Sequence, residues 1–465
     1  MTDELWGETA TALAARVRAR EVSAVEVMRA HLARIDAVNP VLNAIVTLDR
    51  EGALAAADAA DRRLRAGEPV GPLHGLPIAI KDLEDTAGML TTYGSSVFRD
   101  HVPVADTLLV TRLRSAGAIV IGKTNTPEFG AGSQTFNAVF GVTRNPFDPS
   151  RTPGGSSGGA AAAVASGMLP FADGSDLGAS VRNPAAFCGL VGLRPSPGRI
   201  PVVPAHSPWS PLSVYGPIAR TVEDAALLLR AVCGPDPRAP LSLDDPPEAF
   251  ADVRPSDPAT LRIAWSDDFG DLPVQPEVTA VLRRRRGELE GLGCTIEDVD
   301  VDLRAADEAF ETLRAVGFAQ AFAELLQTRR DELKDTVVWN IEAGLALSGA
   351  QVARAFALQA EVFTRMREAL EGYDAFALPV TQVVAFDVDE PYPREVAGVP
   401  MRSYLEWMRS CSRITVTAHP AVSVPAGFTD AGLPVGLQLV GRYRGEAALL
   451  RLAAAVHPGW RPPAV

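Results

Sequence analysis

The sequence predicts an α/β fold, an α/β/α sandwich whose large, mixed, mainly parallel sheet is covered on both faces by helices. Three observations lead there. From about residue 76 to 230, strand-like runs (PIAI, AIVIG, LVGL) alternate with helical ones (TLLVTRLRSAG, TVEDAALLLRAV), as expected of strands joined by crossover helices. Long helical patterns recur at roughly 276–292 and 305–332 and in GAQVARAFALQAEVFTRMREALEGY, before the strand-like DAFALPVT. A 47% hydrophobic content with 39 glycines and 37 prolines in 465 residues fits a large core with many turns.

The whole chain, 1–465, reads as one domain. Residues 1–64 are N-terminal helices, two or three of them within 8–64, and Ser23 suits the N-cap of AVEVMRAHLARID. His31 on that helix reads as a packing or surface residue. Residues 65–230 hold the motif-bearing core. Residues 235–258 contain seven prolines and many acids and read as a surface crossing. Residues 259–465 form a C-terminal part with a helical cap that returns strands to the same sheet. Within it, 386–413 mixes Tyr392, Tyr404, Trp407 and Met408 with prolines. This segment reads either as a wall or lid over a pocket, or as a surface loop with its own hydrophobic staple.

Charge and composition narrow the partners. A net charge of −13 argues against nucleic acid and anionic membranes. No run of 18 apolar residues suggests a membrane span, and MTDELWGETATALAARVRAR lacks the basic start, apolar middle and cleavage site of a signal peptide. Cys188, Cys233, Cys294 and Cys411 are scattered without CxxC spacing. Reduced core thiols in a cytoplasmic protein follow, with no metal and no cofactor expected. The expected state is a monomer or homodimer acting on a small molecule.

The chemistry concentrates in residues 151–184, RTPGGSSGGAAAAVASGMLPFADGSDLGASVRNP. Ser156 and Ser157 lie in PGGSSGG, and Ser180 closes GSDLGAS. Between them AAAAVASGM predicts a short buried helix stopped at Gly167. Glycine-dense turns around a helix expose backbone N–H groups where developing negative charge can sit, as acyl transfer requires. GGSSGG alone would equally serve as a flexible loop or an anion nest. Gly154 to Gly158 also matches GxSxG, but that elbow needs a buried strand before it, and NPFDPSRTP is too proline-rich to be one.

Composition singles out a lysine. Lysine and arginine total 44, and only Lys81, Lys123 and Lys334 are lysines. Lys81 ends the apolar run GLPIAIK. Arginine keeps its proton in proteins, whereas a desolvated lysine can lose it and act as a base. The alternative is a strand-end lysine paired with Asp82 or Glu84. Lys123 lies in GAIVIGKT, which matches a phosphate-binding loop on paper, but its variable positions are themselves strand-like and Asn125-Thr126-Pro127 follows.

Taken together, GLPIAIKD, GKTNTPEFG, GVTRNP, PGGSSGGAAAAVASG, GSDLGASVRNPAAFCGLVGLRPSPGRIP, HPAVSVPAGF and GLPVGLQLVGR resemble the amidase signature family, from roughly the twenties to the 440s. The resemblance implies a Ser-cisSer-Lys triad. Lys81 would be the base, Ser156 the bridging serine with a cis peptide bond, and Ser180 the nucleophile. It further implies an oxyanion hole from the N–H groups of Leu177, Gly178, Ala179 and Ser180, supporting roles for Ser157, Asp176 and Arg182, and substrate contacts from Gly130, Ala131 and Gly132. Two positions depart from the family pattern. Ala179 stands where a second glycine is usual, and Asn183 replaces an apolar residue.

The resulting expectation is an amidohydrolase of small-molecule amides, with carbamates (urethanes) and esters as further substrates of the same triad. One alternative is the glutamine-hydrolysing component of a transfer-RNA amidotransferase, although NTPEFG looks more like stand-alone amidases. Another is a Ser-His-Asp hydrolase using His206 or His419. His419 reads as structural, and His206 has no evident partner.

Overall fold

The computed structural model describes residues 4–463, so the first three residues of the N-terminal reading lie outside it. Three helices open the chain, α1 (Ala10–Ala19), α2 (Ala24–Leu42) and α3 (Arg50–Arg65), with strand β1 (Ile45–Leu48) between the last two. At the start of α2, Ser23 and Glu26 cap each other's backbone N–H groups, as a capping box does. Strand β1 interrupts the all-helical reading of 8–64; its IVTL run is short but rich in β-branched residues. Next come β2 (Pro77–Lys81), α4 (Leu108–Ser115), β3 (Ile119–Thr124), and a two-residue ladder of β4 (Phe136–Asn137) with β5 (Gly141–Val142). β1, β3 and β2 form a separate three-stranded sheet in that order, with β2 and β3 parallel. PIAI and AIVIG therefore do not join the large sheet.

The chain continues through α5 (Gly158–Ala165), β6 (Phe171–Asp176), α6 (Arg182–Phe187), β7 (Val191–Arg194), β8 (Val214–Ala219) and α7 (Val222–Val232). The C-terminal part supplies β9 (Arg262–Trp265), α8 (Pro276–Gly291), β10 (Thr295–Asp298), α9 (Ala305–Arg329), α10 (Asp335–Leu345), α11 (Gly349–Ala369) and β11 (Ala375–Pro379). It ends with the ladder of β12 (Glu395–Val396) and β13 (Val399–Pro400), then α12 (Arg409–Val416), β14 (Ala421–Phe428), β15 (Pro434–Val440) and α13 (Glu446–Val456).

Eight strands form the large sheet in the order β10-β9-β11-β15-β14-β7-β8-β6. It is mixed, as expected, but mostly antiparallel. Among the described residues only β10 with β9 and β9 with β11 run parallel, and the other five pairings are antiparallel. The expectation of a mainly parallel sheet is corrected for a physical reason. The β6–α6–β7 unit does send its two strands the same way, but β8 inserts between them and pairs antiparallel with both. Helices cover both faces. Along β11, Ala375 and Ala377 join the core shared with α7, α8 and α13, while Phe376 and Leu378 join the one shared with α9, α11 and α12.

Two segments bear on the site. Within residues 386–413, Trp407 stacks on Phe187 at 5.9 Å between ring centroids, Phe386 meets Trp407 edge-on, and the Trp407 indole N–H donates to Ser133 Oγ at 2.9 Å. Helix α5 contains only Gly, Ala and Val and is buried on every side, and the run stops at Gly167 with φ +80°, as predicted. At Gly159 a β-carbon would lie 2.4 Å from the Asn125 nitrogen and 2.8 Å from the Ala44 carbonyl oxygen. The helix thus presses directly onto neighbouring backbone, and no side chain fits between. Gly159→Ala is expected to lower the free energy of urea unfolding by about 1–3 kcal/mol through overpacking; an unchanged midpoint would show that this contact yields freely.

Candidate active site

Lys81 ends β2, a strand buried along its whole length, so its amine is delivered into the interior beneath both serine turns. Its Nζ lies 2.8 Å from Ser156 Oγ, 2.8 Å from Ser157 Oγ and 3.0 Å from Ser175 Oγ. Among the described residues it makes no ion pair with a carboxylate, so the pairing with Asp82 or Glu84 does not form. The Asp82 carboxylate instead accepts from the Thr92 N–H and hydroxyl. Burial pushes the Lys81 amine down to about 7, against the nearby carboxylates of Asp173, Glu84 and Asp176, which favour its charged form. Two of these carboxylates are themselves weakened as anions. Burial pushes Asp173 up to about 6 and Glu84 up to about 8. Asp173 accepts from the Lys81 N–H at 3.2 Å, and Glu84 accepts from the Tyr215 hydroxyl at 2.5 Å.

The peptide bond between Gly155 and Ser156 is cis. Asn183, the unexpected polar residue, reaches this turn: its Nδ2 donates to the Gly155 and Ser133 carbonyls at 3.4 and 3.3 Å. The second serine turn is stitched to the first, because the Ser157 N–H donates to the Ser180 carbonyl at 3.1 Å. Ser180 is half-buried, and no described side chain hydrogen-bonds its hydroxyl. Before it, the backbone N–H groups of Leu177, Gly178, Ala179 and Ser180 have no acceptor among the described residues. Four consecutive free donors beside a nucleophile-type hydroxyl form a ready cradle for an oxyanion.

Buried charge holds that loop in shape. Asp176 accepts from Arg182 Nε and Nη2, both at 3.0 Å, from Arg194 Nη1 at 3.3 Å and from the Val181 N–H at 3.2 Å. Burial opposes its charge, but the two guanidiniums win and hold its carboxyl down at about 2. Arg182 also donates to the Gly178 carbonyl at 2.9 Å, to Thr415 Oγ1 at 2.8 Å and to Gln438 Oε1 at 2.6 Å. The 177–180 loop is thereby tied to α12 and β15. A β-carbon at Gly178 would lie 2.7 Å from Phe310 Cζ and would force that ring to move, whereas the Ala179 methyl is accommodated in the apolar cluster around Phe187 and Phe310.

A cavity of about 350 Å³ opens beside Leu177. Leu83, Phe129, Leu212, Leu313, Phe318 and Phe322 give it apolar walls, and Glu84, Tyr215, His206 and Arg314 give it polar ones. The expected substrate contacts divide. A β-carbon at Gly130 would lie 3.4 Å from Ser156 Oγ, whereas Ala131 packs among Phe318, Val337 and Ile341 of the cap. His206 lines the cavity mouth. His419 lies in a separate cluster with Phe363 and Tyr443. Lys123 is structural, its amine held by Thr86 and Thr91 hydroxyls at 3.1 Å and by the Glu84 carbonyl. Sequence reasoning missed Ser175, Asn183's contacts and the α9 side chains. Ser175 had a signal, since it shares GSDLGAS with Ser180; the α9 residues read only as one more helix.

The Amidase family matches residues 26–450. An acylamidase from Rhodococcus erythropolis is 38% identical over 457 residues, covering 97% of this chain and 95% of its own. A glutamyl-tRNA(Gln) amidotransferase component from Geobacter metallireducens is 36% identical and covers 97% of each chain. Among solved structures, a bacterial aryl acylamidase of the amidase signature family superposes with a TM-score of 0.90 at 29% identity, over 97% of this chain and 95% of that one. The 6-aminohexanoate cyclic dimer hydrolase, complexed with substrate, superposes with a TM-score of 0.88 at 28% identity over 97% of each. The chain belongs to the amidase signature family of hydrolytic enzymes.

Proposed function

We propose that this chain hydrolyses small-molecule carboxylic amides on its own, with aryl carbamates and esters as further substrates, through an acyl-enzyme on Ser180. The observation that carries the proposal is the Lys81 amine, desolvated and 2.8 Å from Ser156 Oγ, beside a loop of unpaired N–H groups. A neutral Lys81 takes the Ser156 proton as Ser156 takes that of Ser180. Ser180 Oγ then bonds to the carbonyl carbon, and the resulting oxyanion is received by the N–H groups of residues 177–180. On collapse the C–N bond breaks, and the proton returns through Ser156 to the departing amine. Water repeats the sequence on the ester and restores Ser180. Contacts of such a relay are often long before substrate binds, which fits the unengaged Ser180 hydroxyl.

The acylamidase and aryl acylamidase relatives support this reading, as do the apolar cavity walls. The similarity to the amidotransferase component supports a second reading, glutamine hydrolysis for a partner. A panel of an aryl acylamide, an aryl carbamate, the matching ester and glutamine, without partner or ATP, separates the two. Turnover of the amide or carbamate is expected, falling by on the order of 10⁴-fold or more in Ser180→Ala and Lys81→Met. Survival of turnover in Ser180→Ala would contradict the triad, and turnover of glutamine alone would favour the second reading.

The buried brace gives a separate expectation. Asp176→Asn leaves Arg182 and Arg194 without their anion and should cost about 3–5 kcal/mol of stability. The folded carboxyl at about 2 lies below its ordinary value near 3.8. The stabilisation is therefore full above pH 4 and declines as pH falls toward 2. Urea titrations of wild type and variant should show a gap that narrows over that window; a gap independent of pH would contradict the assignment.

A further inference from the structure

We infer that the site takes substrates bearing a carboxylate a few bonds from the scissile carbonyl, anchored by the Arg314 guanidinium. The inference deepens the amidase reading above and rests on it for the place of the carbonyl. Arg314 lies on α9, is 4% exposed and lines the cavity. Its guanidinium is held only by neutral groups: Nη1 donates to Asn340 Oδ1, Nη2 donates to the Tyr404 hydroxyl, and the Phe318 ring lies 4.4 Å away. Among the described residues it forms no ion pair. Most other buried arginines face a carboxylate: Arg182 and Arg194 share Asp176, Arg199 pairs with Glu446, and Arg413 with Asp271 and Asp307. Arg220, away from the cavity, donates to the Trp6 and Glu8 carbonyls.

A cation sealed from water without an anion is costly, and a cavity wall is where a ligand can supply the missing charge. The position suits a substrate group. Phe310, one turn before Arg314, abuts Gly178 of the oxyanion loop. Residues 310, 314, 318 and 322 recur every fourth position on one face of α9, so each step moves about 6 Å away from that loop. The acidic neighbours do not pre-empt the cation. Glu84 also lines the cavity, but burial pushes its carboxyl up toward its neutral form and it accepts from the Tyr215 hydroxyl. Asp85 is engaged by the Tyr93 hydroxyl.

The test uses two substrate pairs. Glutaryl- against pentanoyl-4-nitroanilide places the carboxylate on the acyl side, and pentanoyl-4-aminobenzoate against its neutral 4-acetyl counterpart places it on the amine side. In the wild type one pair should favour the acid by about 30-fold or more in kcat/KM. That preference should collapse in Arg314→Met and return in part in Arg314→Lys, and the responding pair reveals which side of the bond the arginine faces. No preference in either pair, or one that Arg314→Met retains, overturns the inference. Calorimetric binding of the same compounds to Ser180→Ala reads the preference without turnover. If wild type cleaves none of them, the amidase reading fails while this contrast still decides Arg314. Should Arg314→Met not fold, the melting temperature of the unaltered chain decides instead: a larger rise with the acids than with their neutral counterparts supports the inference, and equal rises overturn it.

Discussion

A lysine amine kept out of water is the constraint around which this molecule is built. Desolvation alone would drive Lys81 to its neutral form, and any close carboxylate would undo that by pairing with it. The fold surrounds the amine with the hydroxyls of Ser156, Ser157 and Ser175 instead. Of the acids nearby, Asp173 and Glu84 are shifted toward their neutral forms, and Asp176 spends its charge on two arginines. The all-small composition of α5 belongs to the same arrangement. A helix of Gly, Ala and Val can press onto the Asn125 and Ala44 backbone, so the serine turn at its N-terminus stays close to the end of β2.

The site is also a joint between distant parts of the chain. The serine turns come from the middle of the sequence, yet Arg182 reaches Thr415 on α12 and Gln438 on β15, and the wall against Gly178 is made by Phe310 and Met408. Returning β14 and β15 to the sheet beside β7 brings these residues to the 177–180 loop. The buried Asp176–Arg182–Arg194 cluster braces the loop around a shared carboxylate, and the cavity beside it holds an arginine, Arg314, with no carboxylate partner among the described residues. That contrast between buried arginines with an anion and one without separates what supports the loop from what we infer receives a ligand.

Much of the site was legible in the sequence because its chemistry is local. Lys81 stood out in a chain that otherwise uses arginine, and Ser156, Ser157 and Ser180 lie within one glycine-rich stretch. The stop of α5 at Gly167 and the N-cap of α2 at Ser23 were legible for the same reason. The strand order was not, because β8 enters between β6 and β7 through a long loop that carries no record of its destination. Asn183 was visible as a departure, but its reach to the Gly155 carbonyl depends on a turn shape that sequence does not express. Arg314 was hidden most completely. On a helical pattern it resembles any surface arginine, and only burial without a carboxylate on a cavity wall sets it apart.

The protonation state of Lys81 is the centre of the account, and the chain is well suited to measuring it. With three lysines in all, Lys81, Lys123 and Lys334, ¹³C labelling at lysine Cε gives a spectrum in which the Lys81 signal is assigned by its loss in Lys81→Met. Following that signal against pH should give a midpoint near 7, where burial sets it. A Lys81 signal that stays in its charged form up to the ordinary lysine range near 10.4 would contradict the account, since the amine could then not serve as a base at neutral pH.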